Sequence, residues 1–223
     1  MSRRGSEKND LRGADADLLK ILALQSGDPR RIRGALNTGQ AAPPALIPQV
    51  IQLLGVDALA NDAMRALRVV AASRPGALID ALIDVRLTAV LRRRLARVMS
   101  VCRTPDVVNA LLQGIDDEHR DVRVQCARTL FLIRRRHPDL HVDGERVMTR
   151  IRNELDAGAG DVGLVFTLLA LVYPATPIRV AYRSLRGSNV HARGFAIEYL
   201  RGILPVEVSE KLVPVVARIG GRR

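Results

Sequence analysis

A chain of 223 residues with 48% hydrophobic and 26% charged residues carries enough apolar surface for a packed core, which excludes disorder beyond its ends. Three Phe, three Tyr and no Trp, set against abundant Ala, Leu, Val and Arg, argue against a sheet-rich domain and for an aliphatic core built on helices. The net charge of +12 favours anionic partners, but only Lys8, Lys20 and Lys211 are lysines. A GC-rich genome produces such an arginine skew without selection for binding, so charge alone is a weak guide.

Residues 1–14 are polar, lack an apolar stretch of signal-peptide length and read as a flexible tail, so a cytoplasmic location is expected. From there, turns marked by Pro, Gly and Asp divide the chain into segments with apolar residues at i, i+3, i+4 and i+7, each a predicted helix. The first six run Asp15–Gln25, Pro29–Asn37, Pro43–Leu54, Asp57–Ser73, Gly76–Asp84 and Arg86–Cys102. Then come Pro105–Gly114, Glu118–Arg136, Asp143–Asp156, Asp161–Val172, Thr176–Arg186, Asn189–Ile203 and Glu207–Ile219, with 221–223 left as a basic tail. Asp28, Thr104 and Asn189 suit helix N-caps, and Pro29 and Pro105 suit the first turn. Gly55, Gly114, Pro138 and Gly187 fall where the chain leaves a helix. The longest apolar run, Leu164–Tyr173, is half of the roughly 20 residues a membrane span needs, and reads as a buried helix.

Taken in twos, the helices form six pairs and a last helix, with second members starting near residues 29, 57, 86, 118, 161 and 189. A two-helix unit at this period without strands predicts an all-α fold, a right-handed α-solenoid of about six pairs plus a capping helix, with 15–220 as one repeat domain. Arg123, Cys126 and Leu130 recur 70 positions later as Arg193, Ala196 and Leu200, and Arg93 with Ala96 keeps the same offset. The small residues permit close helix approach, and the leucines fill the space between neighbours.

The stretch DDEHRDVRVQCARTLFLI, Asp116–Ile133, resembles a HEAT repeat, whose second helix often begins with Asp, then Val-Arg, then a small residue. The matching positions are Asp121, Val122, Arg123, Cys126 and Leu130. The resemblance implies that Asp121, Arg123 and the repeated Arg193 tie adjacent units together rather than bind a ligand. Phe166–Pro205 is similar to the HEAT-repeat region attached to some bacterial membrane proteins of the ATP/ADP-translocase or major-facilitator type. That similarity implies a soluble relative or separated regulatory domain, with association with a membrane protein, and carries no transport activity over.

Candidate chemistry is sparse. Gly158–Gly163 fits G-x-G-x-x-G, but a helix precedes it and no acid follows at ribose-binding distance, so it reads as a helix-to-helix loop. His137 and His141 stand four apart with Pro138 between them and no H-E-x-x-H, while Asp139 and Asp143 read as turn and cap residues. Asp116 and Asp117 read as solvated turn acids. Cys102 and Cys126 form no C-x-x-C and read as reduced, packed thiols. No G-x-S-x-G is present, no His is followed by Glu, and no enzyme activity, metal or cofactor is expected.

Two arginine groups remain, Arg92, Arg93, Arg94 and Arg97 on one helix and Arg134, Arg135 and Arg136 at the negative end of another. If second helices line a concave surface, Arg92, Arg94, Arg97, Arg128 and Arg134 contribute to one basic groove. The function expected is a non-enzymatic scaffold gripping a protein partner through that surface. The alternative is nucleic-acid binding through phosphate contacts by the same arginines. Base stacking is disfavoured, because Tyr173, Tyr182 and Tyr199 fall in helical core patterns and Trp is absent.

Overall fold

The computed structural model describes residues 18–37, 39, 42–158 and 161–219, and every regular element among them is a helix. Helix α1 covers 18–25, α2 Pro29–Leu36, α3 Ile47–Leu53, α4 Asp57–Ser73, α5 Gly76–Ile83 and α6 Ala89–Val98. Then follow α7 (Pro105–Gly114), α8 (Arg120–Arg136), α9 (Gly144–Asp156), α10 (Val162–Val172), α11 (Ala175–Arg186), α12 (Val190–Ile203) and α13 (Val206–Ile219). The expected tails 1–14 and 221–223 lie outside the described residues. No described helix is long and apolar enough to cross a membrane.

Helix starts follow from local side chains. Asp28, Asp143, Asp161 and Asn189 accept the backbone N–H of Arg30, Arg146, Leu164 and Ala192, satisfying donors that the first turn leaves unpaired. Thr104 departs from expectation: it occupies the N-cap position of α7, yet its hydroxyl makes no cap bond and α7 starts on Pro105 alone. The segment expected to be helical from Arg86 also begins later. The Asp84 carboxylate accepts the backbone N–H of Arg86 at 3.0 Å and its Nε at 2.8 Å, a turn that holds the chain out of the helix until Thr88 caps α6.

The helices group into two compact units, Met1–Cys102 and Arg103–Arg223. In the first unit α4 is central. Its buried face of Leu59, Ala60, Ala63, Met64, Leu67, Val70 and Ala71 receives α2, α3 and α6, and α5 packs on α6. The alanines let these backbones approach closely.

In the second unit α10 is central and buried nearly all round, through Leu164, Val165, Phe166, Leu168, Leu169, Ala170 and Leu171. It packs against α8, α9 and α11; α7 lies on α8, α12 on α11, and α13 returns to α9. Second helices of successive pairs thus touch in the order α2, α4, α6 in one unit and α8, α10 in the other. At the α7–α8 junction, a Cβ on Gly114 would stand 2.5 Å from Cys126 Sγ, so these helices meet at a distance only glycine permits.

Neither cysteine forms a disulfide, and both are buried. The Cys102 Sγ donates to the Ala71 carbonyl at 3.3 Å, and burial pushes its thiol from the ordinary 9.0 up to about 11. Because the thiolate is the reactive form, neither cysteine should react with a disulfide reagent near pH 8 until denaturant is added. Prompt modification of the folded chain would contradict this packing.

Candidate interaction surface

The five arginines expected to share one groove differ in burial and in their local partners. Arg92 is 1% exposed, and its Nε donates to the Leu87 carbonyl at 3.2 Å. This corrects the sequence expectation: a guanidinium held in the interior offers a partner no surface. At about 100° per residue, position 92 falls between Leu95 and Ala96 with Met99 beneath it, the middle of the α6 buried face. Charge reversal there would test folding rather than binding.

Arg94 is a clamp. Its guanidinium donates to the Leu54 carbonyl and to the Asp57 carboxylate, fastening α6 to the α3–α4 turn. That hydrogen bond, and then the charge behind it, hold the Asp57 carboxyl below the usual carboxylate range. Arg97 and Arg128 are exposed and Arg134 half-buried, none with a hydrogen bond or ion pair among the described residues. Arg97 belongs to the first unit, and Arg128 and Arg134 to the second. Six residues place those last two about 120° apart around α8, on different faces.

The positions read as structural have the following surroundings. Arg123 Nε donates to Glu154 Oε1 at 2.7 Å, and its Nη1 to the Asp117 and Glu118 carbonyls at 3.0 and 2.9 Å, joining α8 to α9. Arg150 meets the same carboxylate from within α9. Asp121 is exposed beside Arg120, whose guanidinium also reaches Asp161 at 2.8 Å, and Arg193 is half-buried on α12. Gly158, at φ +88°, follows the C-terminus of α9 in the left-handed conformation that glycine favours, and Asp161 caps α10; residues 159 and 160 of the glycine motif lie outside the described residues.

The scarce aromatics converge elsewhere. Phe131, Phe166, Tyr182, Phe195 and Tyr199, five of the six, line two hollows on α8, α10, α11 and α12. The first hollow, of about 200 Å³, holds Phe131 and the stacked pair Phe166–Tyr182, with centroids 4.6 Å apart and Arg186 5.6 Å over the Tyr182 ring. The second is a groove of about 480 Å³ between α11 and α12. Ala181, Ser184, Ala192 and Ala196 leave its floor open, while Pro177 and Val180 on one side and Phe195 and Tyr199 on the other form its walls. Phe195 is 77% exposed and Val180 54%.

Between the hollows runs a stripe at i, i+4, i+7: Arg179, Arg183 and Arg186, none paired with a carboxylate among the described residues. Five arginines face the single acid Glu198 between residues 175 and 203. Neither the stripe nor Phe195 was singled out from the sequence, although a signal existed. The repeat match makes Ala196 and Leu200 the core positions of α12, which rotates Phe195 about 100° off that axis. Tyr182 and Tyr199, expected in the core, are half-buried and line the hollows.

No family model matches this chain, and neither curated proteins nor solved structures yield a match.

Proposed function

We propose that this chain is a non-enzymatic, HEAT-like α-solenoid scaffold that binds a protein partner on the α11–α12 face of its second unit. The observation that carries the reading is the open apolar groove with Phe195 77% exposed on its wall. Leaving an aromatic side chain in water forgoes about 1.5–3 kcal/mol of burial, and rigid aromatics beside open grooves are the usual anchors of protein interfaces. The repeat architecture draws support from the two-helix period, the successive contacts of second helices and the Arg123–Glu154 tie between pairs. Two buried thiols outside any disulfide favour a reducing, cytoplasmic setting.

A second reading, phosphate-backbone binding, draws on Arg97 and Arg128, which are exposed and unpaired among the described residues. One experiment separates the two. Tagged full-length chain and its Phe195→Asp variant are used for capture from lysate of the source cell, with and without nuclease. A discrete nuclease-resistant partner, retained by the parent and lost from Phe195→Asp, is expected. Retention that vanishes with nuclease, and falls steeply with salt, would replace the scaffold reading with the nucleic-acid one.

A further inference from the structure

We infer that the α11–α12 groove receives an acidic amphipathic helix of the partner, apolar side chains seated between Val180 and Phe195 and carboxylates against Arg179 and Arg183. The inference rests on the protein-scaffold reading and adds the chemistry of the occupant. A trough between two adjacent helices is the shape that ridges of a third helix fill, with anchors at i, i+3, i+4 and i+7. The small floor residues Ala181, Ser184, Ala192 and Ala196 leave that depth available.

Charge selects the occupant further. Arg179, Arg183 and Arg186 span about 10 Å along α11, two turns, and a helix lying alongside presents carboxylates at the same interval. The one acid on these two helices, Glu198 on α12, is already paired with Arg201 at 3.0 Å. A second copy of this chain fits poorly, because a two-fold contact through the groove sets one arginine stripe beside another in a molecule already at +12. An anionic bilayer would also meet arginines and Phe195. A bilayer would engage the protruding Phe195 and Val180 but leave the recessed floor of Ala181, Ala192 and Ala196 unfilled, whereas the ridge of a helix fills it.

The test uses the full chain, immobilised, and a display library of short random peptides. Enriched peptides should carry aliphatic or aromatic anchors at helical spacing with Asp or Glu along one flank. For a synthetic peptide of the enriched sequence, Phe195→Asp should weaken binding at least about thirtyfold. Arg179→Glu with Arg183→Glu should weaken it about tenfold, as should Asp/Glu→Asn/Gln in the peptide. Unchanged circular dichroism and melting of both variants would show that the fold survives. Enriched peptides that depend on Phe195 but lack acids would overturn the acidic occupant and leave the scaffold reading intact. A panning without enrichment, or binders indifferent to Phe195→Asp, overturns the groove as the seat of a helix; lysate capture then decides the scaffold reading separately. Phe195-dependent binding to phosphatidylserine vesicles, with no peptide enrichment, would overturn both.

Discussion

Glu154→Ala is expected to lower the unfolding free energy by about 3–5 kcal/mol, the cost of removing one partner from a buried ion cluster. Glu154 is 4% exposed, and its carboxylate is shared by Arg123 from α8 and Arg150 from one turn earlier in α9. Both guanidinium groups are themselves largely buried, so deleting the acid leaves two like charges in a poorly solvated site without a counter-charge. Arg123 retains the Asp117 and Glu118 carbonyls, which limits the loss but does not neutralise it. The measurement is urea unfolding followed by circular dichroism, comparing midpoints at constant slope. Replacing the pair together, Arg123→Met with Glu154→Leu, should recover most of the loss, because a buried ion pair is often no more stable than an apolar pair of similar volume. A cost below about 1 kcal/mol for Glu154→Ala would show that water reaches the cluster and screens it as it does surface pairs.

Glu154 also shows what a sequence reveals and what it withholds. In α9 the apolar positions Val147, Met148, Ile151 and Leu155 define one face, and Glu154 stands three residues after Ile151 on that same face. A carboxylate on an apolar stripe signals a buried partner, but nothing local identifies Arg123, which arrives from 31 positions away. The helices themselves were legible because their limits depend on neighbours in sequence: the expected bounds of α4 and α7 coincide with those found. The start of α6 departs from its periodicity because the turn made by Asp84 and Arg86 holds the chain out of the helix until Thr88.

The arginines divide along the same line. Arg92 lies at the centre of the face defined by Leu95, Ala96 and Met99, so its burial is implied by position alone. Arg94 is different, since its partners Leu54 and Asp57 are supplied by the packing of α6 against α3 and α4. The Arg179, Arg183 and Arg186 stripe was readable as spacing, but its meaning depends on the groove beside it. That groove exists because the small residues of α11 and α12 face each other, which is a tertiary fact.

Gly114→Ala sets two physical effects of opposite sign against each other. Gly114 is the last residue of α7, and its φ is not in the left-handed region, so helix propensity alone predicts that alanine stabilises by up to about 1 kcal/mol. Packing predicts the reverse. The new Cβ would lie 2.5 Å from Cys126 Sγ, a separation real side chains do not show, and Cys126 is fully buried in α8 with little room to turn. Overpacking of this kind typically costs about 1–3 kcal/mol, so a net loss is expected. The companion change decides the mechanism. In a Cys126→Ala background the sulfur is gone and the remaining approach, to the Cys126 Cβ, is 3.4 Å, the edge of ordinary contact. There Gly114→Ala should become neutral or stabilising, giving a coupling of about 1 kcal/mol or more in a double-mutant cycle. Additive losses in the two backgrounds would mean that α7 and α8 do not meet at Gly114 and Cys126, and that the glycine serves only to end its helix.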